Sequence, residues 1–280
     1  MFIFYLINSI NSLKELHLSY NFVTEISILE SIDHYKPEIL KIFQNQKESS
    51  GTILQQQRNL VTRHLLSNGI EIVIKSFRVP NFINQIIYKY FRKSKAKRSF
   101  QFAVELQKSG IGTPEPLFFK EELNWLGLGH SYYVSKYQPY DFTYRELTTN
   151  FNMSDYEKIL RDFTRFTYKL HLSGINFLDH SPGNTLIKKE GNSYHFFLVD
   201  LNRMKFGKMS FEERIKNFSK LTIHREMVQI MSNEYAMCTG ENEAEIFSLM
   251  WKYTQTFQNE FHRKRRLKRK LFFWRSKYKK

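Results

Sequence analysis

The spacing of hydrophobic and polar positions changes several times along the chain, and each change predicts an element. Residues 1–50 keep no sustained period and no repeat, so they read as a helical or irregular extension. Alternation then begins: 52–57, 60–66 and 70–77 predict three strands. Turns at Arg58-Asn59 and Ser67-Asn68-Gly69 would join them into an antiparallel meander. After Pro80 the pairs Phe82/Ile83, Ile86/Ile87 and Tyr90/Phe91 recur at helical spacing, and a second helix runs to about Ser109, where Gly110 closes it. Segments 117–120 and 131–137 add two strands, so the pattern predicts a five-stranded sheet interrupted by helix after its third strand.

The rest of the chain is mainly helical in pattern. Ser154 and Glu157 have capping-box spacing ahead of a helix whose Tyr156, Ile159, Leu160, Phe163, Phe166, Thr167 and Leu170 share one face, with Gly174 at its end. Short strands are expected at 175–178, 185–188 and 194–199, the last two joined by a Gly191-Asn192 turn. From Ser210, with Glu213 completing a second capping pattern, the spacing is helical into a basic tail.

Composition fits a globular protein, since 280 residues suffice for one large two-lobed domain. An aromatic share of 16% predicts an interior rich in rings. The single cysteine, Cys238, excludes an internal disulfide framework and a cysteine metal cluster and fits the reducing cytoplasm. No export signal or membrane span is evident, because the opening MFIFYLI is far short of the ~20 apolar residues a span needs. Net charge is +16, and eleven Lys or Arg of residues 262–280 supply most of it, leaving +5 elsewhere. Within that tail Leu267, Leu271, Trp274 and Tyr278 are spaced as one helical stripe. A basic face opposite such a stripe suits an anionic membrane surface, each basic residue contributing about 1 kcal/mol there. A solvated tail or a nucleic-acid contact is the alternative, and no nucleic-acid partner is expected.

Candidate chemistry lies in the loop Phe177-Leu178-Asp179-His180-Ser181-Pro182-Gly183-Asn184 and the hairpin delivering Leu198-Val199-Asp200. Asp179 and Asn184 are five apart, the spacing of the protein-kinase catalytic loop, in which the Asp accepts the attacking hydroxyl's proton and the Asn binds metal. Asp200, ending the next strand, would be the second ligand, since Mg²⁺ prefers hard oxygen donors. Such a pair alone is common in idle turns; its place between a capped helix and an Asp-terminated hairpin makes it a candidate. Lys75 lies in the apolar strand Ile72-Val73-Ile74-Lys75-Ser76-Phe77 and shares a face with Val73 and Phe77, so burial would demand an anionic partner. Its position matches the kinase strand lysine that holds the non-transferred phosphates. His180 and Ser181 are read as shaping the loop, with contact to the acceptor or the γ-phosphate as the alternative. The nine histidines show no zinc spacing, and no zinc site is expected.

At these residues the chain resembles the lipopolysaccharide kinases of the protein-kinase-like superfamily, which phosphorylate the inner-core sugars Kdo or heptose, and most of all the Kdo-kinase-like branch of Bacteroidetes. The resemblance spans residues 51–204 and is carried by Val73-Ile74-Lys75-Ser76-Phe77, Phe91-Arg92-Lys93-Ser94-Lys95-Ala96-Lys97-Arg98-Ser99-Phe100, Thr113-Pro114-Glu115-Pro116, the 179–184 loop and Val199-Asp200-Leu201-Asn202-Arg203-Met204. It implies an α+β, protein-kinase-like two-lobed fold, with a small antiparallel-sheet lobe over residues 51–137, a larger helical lobe over 138–261, and Mg-ATP between them. It further implies that Lys75 holds the α- and β-phosphates, Asp179 is the base, and Asn184 and Asp200 hold Mg²⁺. The implied enzyme is cytoplasmic, peripheral on the inner membrane, and acts on a lipid-linked sugar acceptor.

Three departures qualify that picture. No glycine-rich loop joins the first two strands, so Arg58-Asn59 would have to cover the phosphates, with Asn59 in the cofactor site. Phe177 and Leu178 replace the catalytic-loop His and Arg, which fits a kinase without activation-loop control. The helical partner of Lys75 is read as Glu105, with Gln101, one turn earlier and near the expected place, as the other candidate and a solvated helix-face role as the alternative for Glu105. A kinase of a soluble sugar or aminoglycoside-like substrate, and a non-catalytic kinase-like membrane adaptor, remain alternatives.

Overall fold

The structure is a computed structural model describing residues 24–28, 36–44, 51–56, 59–125 and 127–271. In chain order the elements are β1 (Thr24–Ile28), α1 (Lys36–Gln44), β2 (Thr52–Gln56), β3 (Leu60–Leu65), β4 (Glu71–Phe77), α2 (Phe82–Tyr90), α3 (Lys95–Lys108), β5 (Pro116–Asn124) and β6 (Gly127–Lys136). There follow β7 (Phe142–Thr143), α4 (Tyr144–Leu147), α5 (Tyr156–Leu172), β8 (Ile175–Phe177), a 3-10 turn (Pro182–Asn184), β9 (Thr185–Glu190), β10 (Ser193–Leu198), β11 (Met204–Phe206), α6 (Phe211–Asn217), a second 3-10 turn (Phe218–Lys220), α7 (Arg225–Thr239) and α8 (Glu243–Leu271). The chain divides into two units. One comprises the chain up to Lys108 together with Pro114–Gln138; the other comprises Ser109–Thr113 and the chain from Pro139.

The first unit is a six-stranded antiparallel sheet in the order β1-β5-β6-β4-β3-β2. The meander forms as expected, with Gly69 at a left-handed φ of 83° in its second turn. Five strands were expected, and the sixth, β1, lies in the stretch read as helical or irregular. Thr24 pairs with Glu122, a partner so distant along the chain that no local period reports it. Helix α1 is likewise part of this unit: Glu38 accepts from the Ser67 amide at 2.9 Å and its hydroxyl at 2.8 Å. Residues 1–50 are therefore no separate extension where they are described. Ile39 and Phe43 of α1 cover Ile72, Ile74, Phe118 and Val134 on one sheet face. Helix α3 covers the other, where the Phe100 and Phe119 rings are 5.5 Å apart.

The second unit packs α5, α7 and α8 around Phe163, Met231, Tyr235 and Met250, all fully buried. Two small sheets, β10-β9-β7 and β11-β8, complete it. The expected apolar face of α5 is the packed one, and Gly174 follows it at a φ of 66°. Its expected cap does not form. Asp155, not Ser154, precedes the helix, at a φ of 61° and without a side-chain cap bond. The Asp155 carboxylate instead accepts from Tyr194 Oη at 2.8 Å and Lys189 Nζ at 3.0 Å, joining the helix entry to the β9–β10 hairpin. The Ser210–Glu213 capping box does form at α6, with bonds of 3.2 and 3.0 Å. Among the described residues no helix is long and apolar enough to cross a membrane.

Candidate active site

Residues 179–184 and Asp200 lie wholly in the second unit. Strand β8 leads through Leu178 to Asp179, and the Pro182–Asn184 turn reverses the chain into the β9–β10 hairpin. Asn184 Nδ2 donates to the Asp179 carbonyl at 2.8 Å, and the Val199 amide donates to the Asn184 carbonyl at 3.0 Å. These two bonds bring Asp179, Asn184 and the Val199-Asp200 strand end together. Because the Asn184 NH₂ is engaged within the loop, its Oδ1 is left as the acceptor suited to a cation. Asp200 adopts a left-handed φ of 58°, and its Oδ1 accepts from Asn202 Nδ2 at 2.6 Å. A non-glycine residue held there is uncommon and is stabilised only when its surroundings demand it. The donor chemistry, one amide oxygen and one carboxylate, fits Mg²⁺ completing its shell with water and phosphate. No cluster of three His, Cys, Asp or Glu ligands exists among the described residues.

Two cations flank the expected base. Lys220 Nζ stands 3.7 Å and Arg203 Nη1 3.6 Å from Asp179 Oδ1. Lys220 also donates to the Leu178 carbonyl, and burial lowers its pKa, with the Asp179 carboxylate opposing. Arg145 lies over the same turn, since a Cβ on Gly183 would come within 2.6 Å of its Nη2. Sequence reading missed Lys220, which reaches the loop from the second 3-10 turn, 41 positions after Asp179, and no motif marks it. Arg203 sat in a recognised motif without an assigned task.

Behind the loop is a buried polar network. His180 Nδ1 lies 2.9 Å from Asn217 Oδ1, and Asn217 Nδ2 donates to Asn176 Oδ1 and to the Phe177 carbonyl, both at 2.9 Å. His171 joins through Asn217 Oδ1 at 3.3 Å and Tyr235 Oη at 2.9 Å. Burial holds both rings neutral, pushing His180 down to about 4 and His171 to about 3. His180 is 1% exposed, which suits it to shaping the loop and not to meeting an acceptor. Ser181 precedes the 3-10 turn, and its carbonyl accepts from the Asn184 amide at 2.9 Å.

The remaining expected residues lie in the first unit. Lys75 sits in β4 between Val61 and Tyr133, half-buried, its Nζ 5.4 Å from the Phe77 ring centroid. The face it shares with Val73 is the α3 side of the sheet, whereas Ile72 and Ile74 on the other side are the fully buried pair. Asn59 follows the β2–β3 turn, of which Gln57 and Arg58 lie outside the described residues, and its Oδ1 accepts from the Arg78 amide at 3.5 Å. Glu105 is on the exposed side of α3. The buried stripe of α3 is Ala96, Ser99, Phe100, Ala103 and Leu106, and nine residues of helix set Glu105 half a turn round from Ala96. It faces outward, paired with Lys108 at 2.9 Å. Gln101 is half-buried, its Oε1 accepting from Lys93 Nζ at 2.9 Å. The carboxylate buried on the Lys75 face is Glu121, 7% exposed, in the cross-strand row of Ser131 and Phe77.

The antiparallel sheet with its helix inserted after β4, and the loop and hairpin that clasp Asp179, Asn184 and Asp200, define a protein-kinase-like fold. Among solved structures the chain is similar to WaaP in complex with acyl carrier protein, at a TM-score of 0.55 and 13% identity, over 83% of this chain and 98% of that one. It is also similar to the Rio2 kinase–ADP/Mg²⁺–phosphoaspartate complex from Chaetomium thermophilum (TM-score 0.46, 14% identity, 76% of this chain and 65% of that one). A MAP kinase from Leishmania major matches at a TM-score of 0.44 and 14% identity, over 76% of this chain and 64% of that one. No family model and no curated protein matches the sequence.

Proposed function

We propose that this protein is an ATP- and Mg²⁺-dependent phosphotransferase acting on a sugar hydroxyl, the Kdo sugar of lipid A, at the cytoplasmic face of the inner membrane. The observation that carries it is the clasp of Asn184 Nδ2 on the Asp179 carbonyl beside the left-handed Asp200. Bound Mg²⁺ would supply charge neutralisation at the transferring phosphoryl group. Asn184 and Asp200 would hold it, and Asp179 would accept the proton of the attacking hydroxyl at its carboxylate. Lys75 would be the cation for the non-transferred phosphates, and Asn59 would help to cover them.

The choice of a lipid-linked acceptor is supported by the sequence resemblance and by α8. That helix buries Ile246, Met250 and Thr254, then continues as an exposed helix through the first part of the basic tail. Leu267 and Leu271 of the expected stripe are exposed on it, while Trp274 and Tyr278 lie outside the described residues. Incubation with labelled ATP and Kdo-lipid A is the decisive experiment. Transfer by the parent chain is expected, with a loss of about a hundredfold or more in Asp179→Ala; no transfer by the parent would sink the acceptor assignment.

The lack of a glycine-rich loop between the first two strands of the meander favours a second reading, a kinase-like membrane adaptor without catalysis. Thermal shift with Mg-nucleotide separates the two. An enzyme is stabilised and loses that stabilisation in Asp200→Ala, whereas an adaptor shows none.

A further inference from the structure

Helix α2 is amphipathic by sequence, yet its apolar side is not the side that packs. Phe82, Ile83, Tyr90, Phe91 and, on the neighbouring β5–β6 turn, Trp125 are between 56% and 82% exposed. The underside is the anchored one. A Cβ on Gly127, the first residue of β6, would fall 2.4 Å from the Gln85 carbonyl, and Gln85 Nε2 donates to the Pro80 carbonyl at 2.9 Å. Asn81 caps the helix by accepting from the Asn84 amide at 3.1 Å. The exposed rings therefore stand on a preformed, fastened helix.

Charge indicates what covers them. Between Glu71 and Glu105 the chain carries eight Lys or Arg and no acid. Three of these, Arg92, Lys93 and Lys95, are exposed directly after the apolar face. Rings of Trp, Tyr and Phe beside basic side chains suit the headgroup depth of an anionic leaflet, where rings enter the acyl boundary and cations meet phosphates. Nine helical residues are too few to span a bilayer, so the helix would lie along its surface.

We propose that α2 with Trp125 is a second membrane-contact surface, in a different unit from the basic tail, which binds anionic phospholipid. This deepens the membrane-facing part of the proposed function and rests on that part alone, not on phosphotransfer. The test uses the full chain with phosphatidylcholine vesicles, with or without phosphatidylglycerol, and acyl chains brominated to quench tryptophan. Binding should require phosphatidylglycerol and weaken with salt. Trp125 should be quenched, so that Trp125→Phe removes part of the quenching and leaves only that of Trp251 and Trp274. The triple variant Ile83→Ser, Tyr90→Ser, Phe91→Ser should bind at least about tenfold more weakly with its unfolding temperature kept, because the altered side chains are exposed. Unchanged affinity of that variant, unchanged quenching in Trp125→Phe, or equal binding to pure phosphatidylcholine would each overturn the proposal. So would absence of vesicle binding by the full chain, even if the surface then captured a protein. No readout involves nucleotide or acceptor, so failure of the kinase reading would leave these results standing.

Discussion

Around Asp179, residues far apart in sequence meet at hydrogen-bond and ion-pair distances. Lys220 is the most informative of them, a half-buried ammonium 3.7 Å from the Asp179 carboxylate and bonded to the Leu178 carbonyl. If Asp179 is the base, as proposed, Lys220 would orient it, and Lys220→Met is expected to lower kcat about tenfold or more while Mg-nucleotide still stabilises the protein. Steady-state kinetics beside a thermal shift check this; an unchanged kcat would leave Lys220 a purely structural donor. His171 and His180 make a different prediction. Their folded pKa values are depressed by burial, so below about pH 6.5 the unfolded chain binds protons that the folded chain does not. Stability should be full above that pH and decline toward pH 4, by up to about 1.4 kcal/mol per pH unit for each ring. Urea midpoints at pH 7.5 and pH 5 measure the slope, which should flatten in His180→Gln.

Among the elements, capping shows how local patterns succeed or give way. At α6 the box is intact, and Ser210→Ala should cost about 1 kcal/mol in urea denaturation. At α5 the same pattern was overridden, because Asp155 is engaged by Tyr194 and Lys189. Helix α3 teaches the corresponding lesson for sites. Alignment on Thr113-Pro114 made Glu105 a candidate, but the stripe facing the sheet is chosen by what packs on β5 and β6, and Leu106 and Ala103 occupy it. Glu121 is buried on that face by cross-strand register, which a single strand's sequence does not reveal.

For the whole molecule, the basic tail and α8 yield a measurable expectation. Deleting residues 262–280 should reduce sedimentation with anionic vesicles about tenfold or more, since each basic residue adds about 1 kcal/mol near such a surface. Equal sedimentation of the two chains would remove the tail as an anchor.

Much of this molecule was legible in its sequence. The meander, the Asp179–Asn184 spacing, the Asp at the strand end and the packed stripe of α5 all depend on residues within a few positions of one another. Backbone periodicity and turn chemistry act at that range, so the residues concerned carry their own signal. The partners of that core were decided only by tertiary structure: β1 beside β5, Lys220 and Arg203 beside Asp179, Asn217 beneath His180, and the outward turn of Glu105. Each depends on which distant segments pack together, a choice made by burial and cross-strand pairing over the whole chain and not by local spacing.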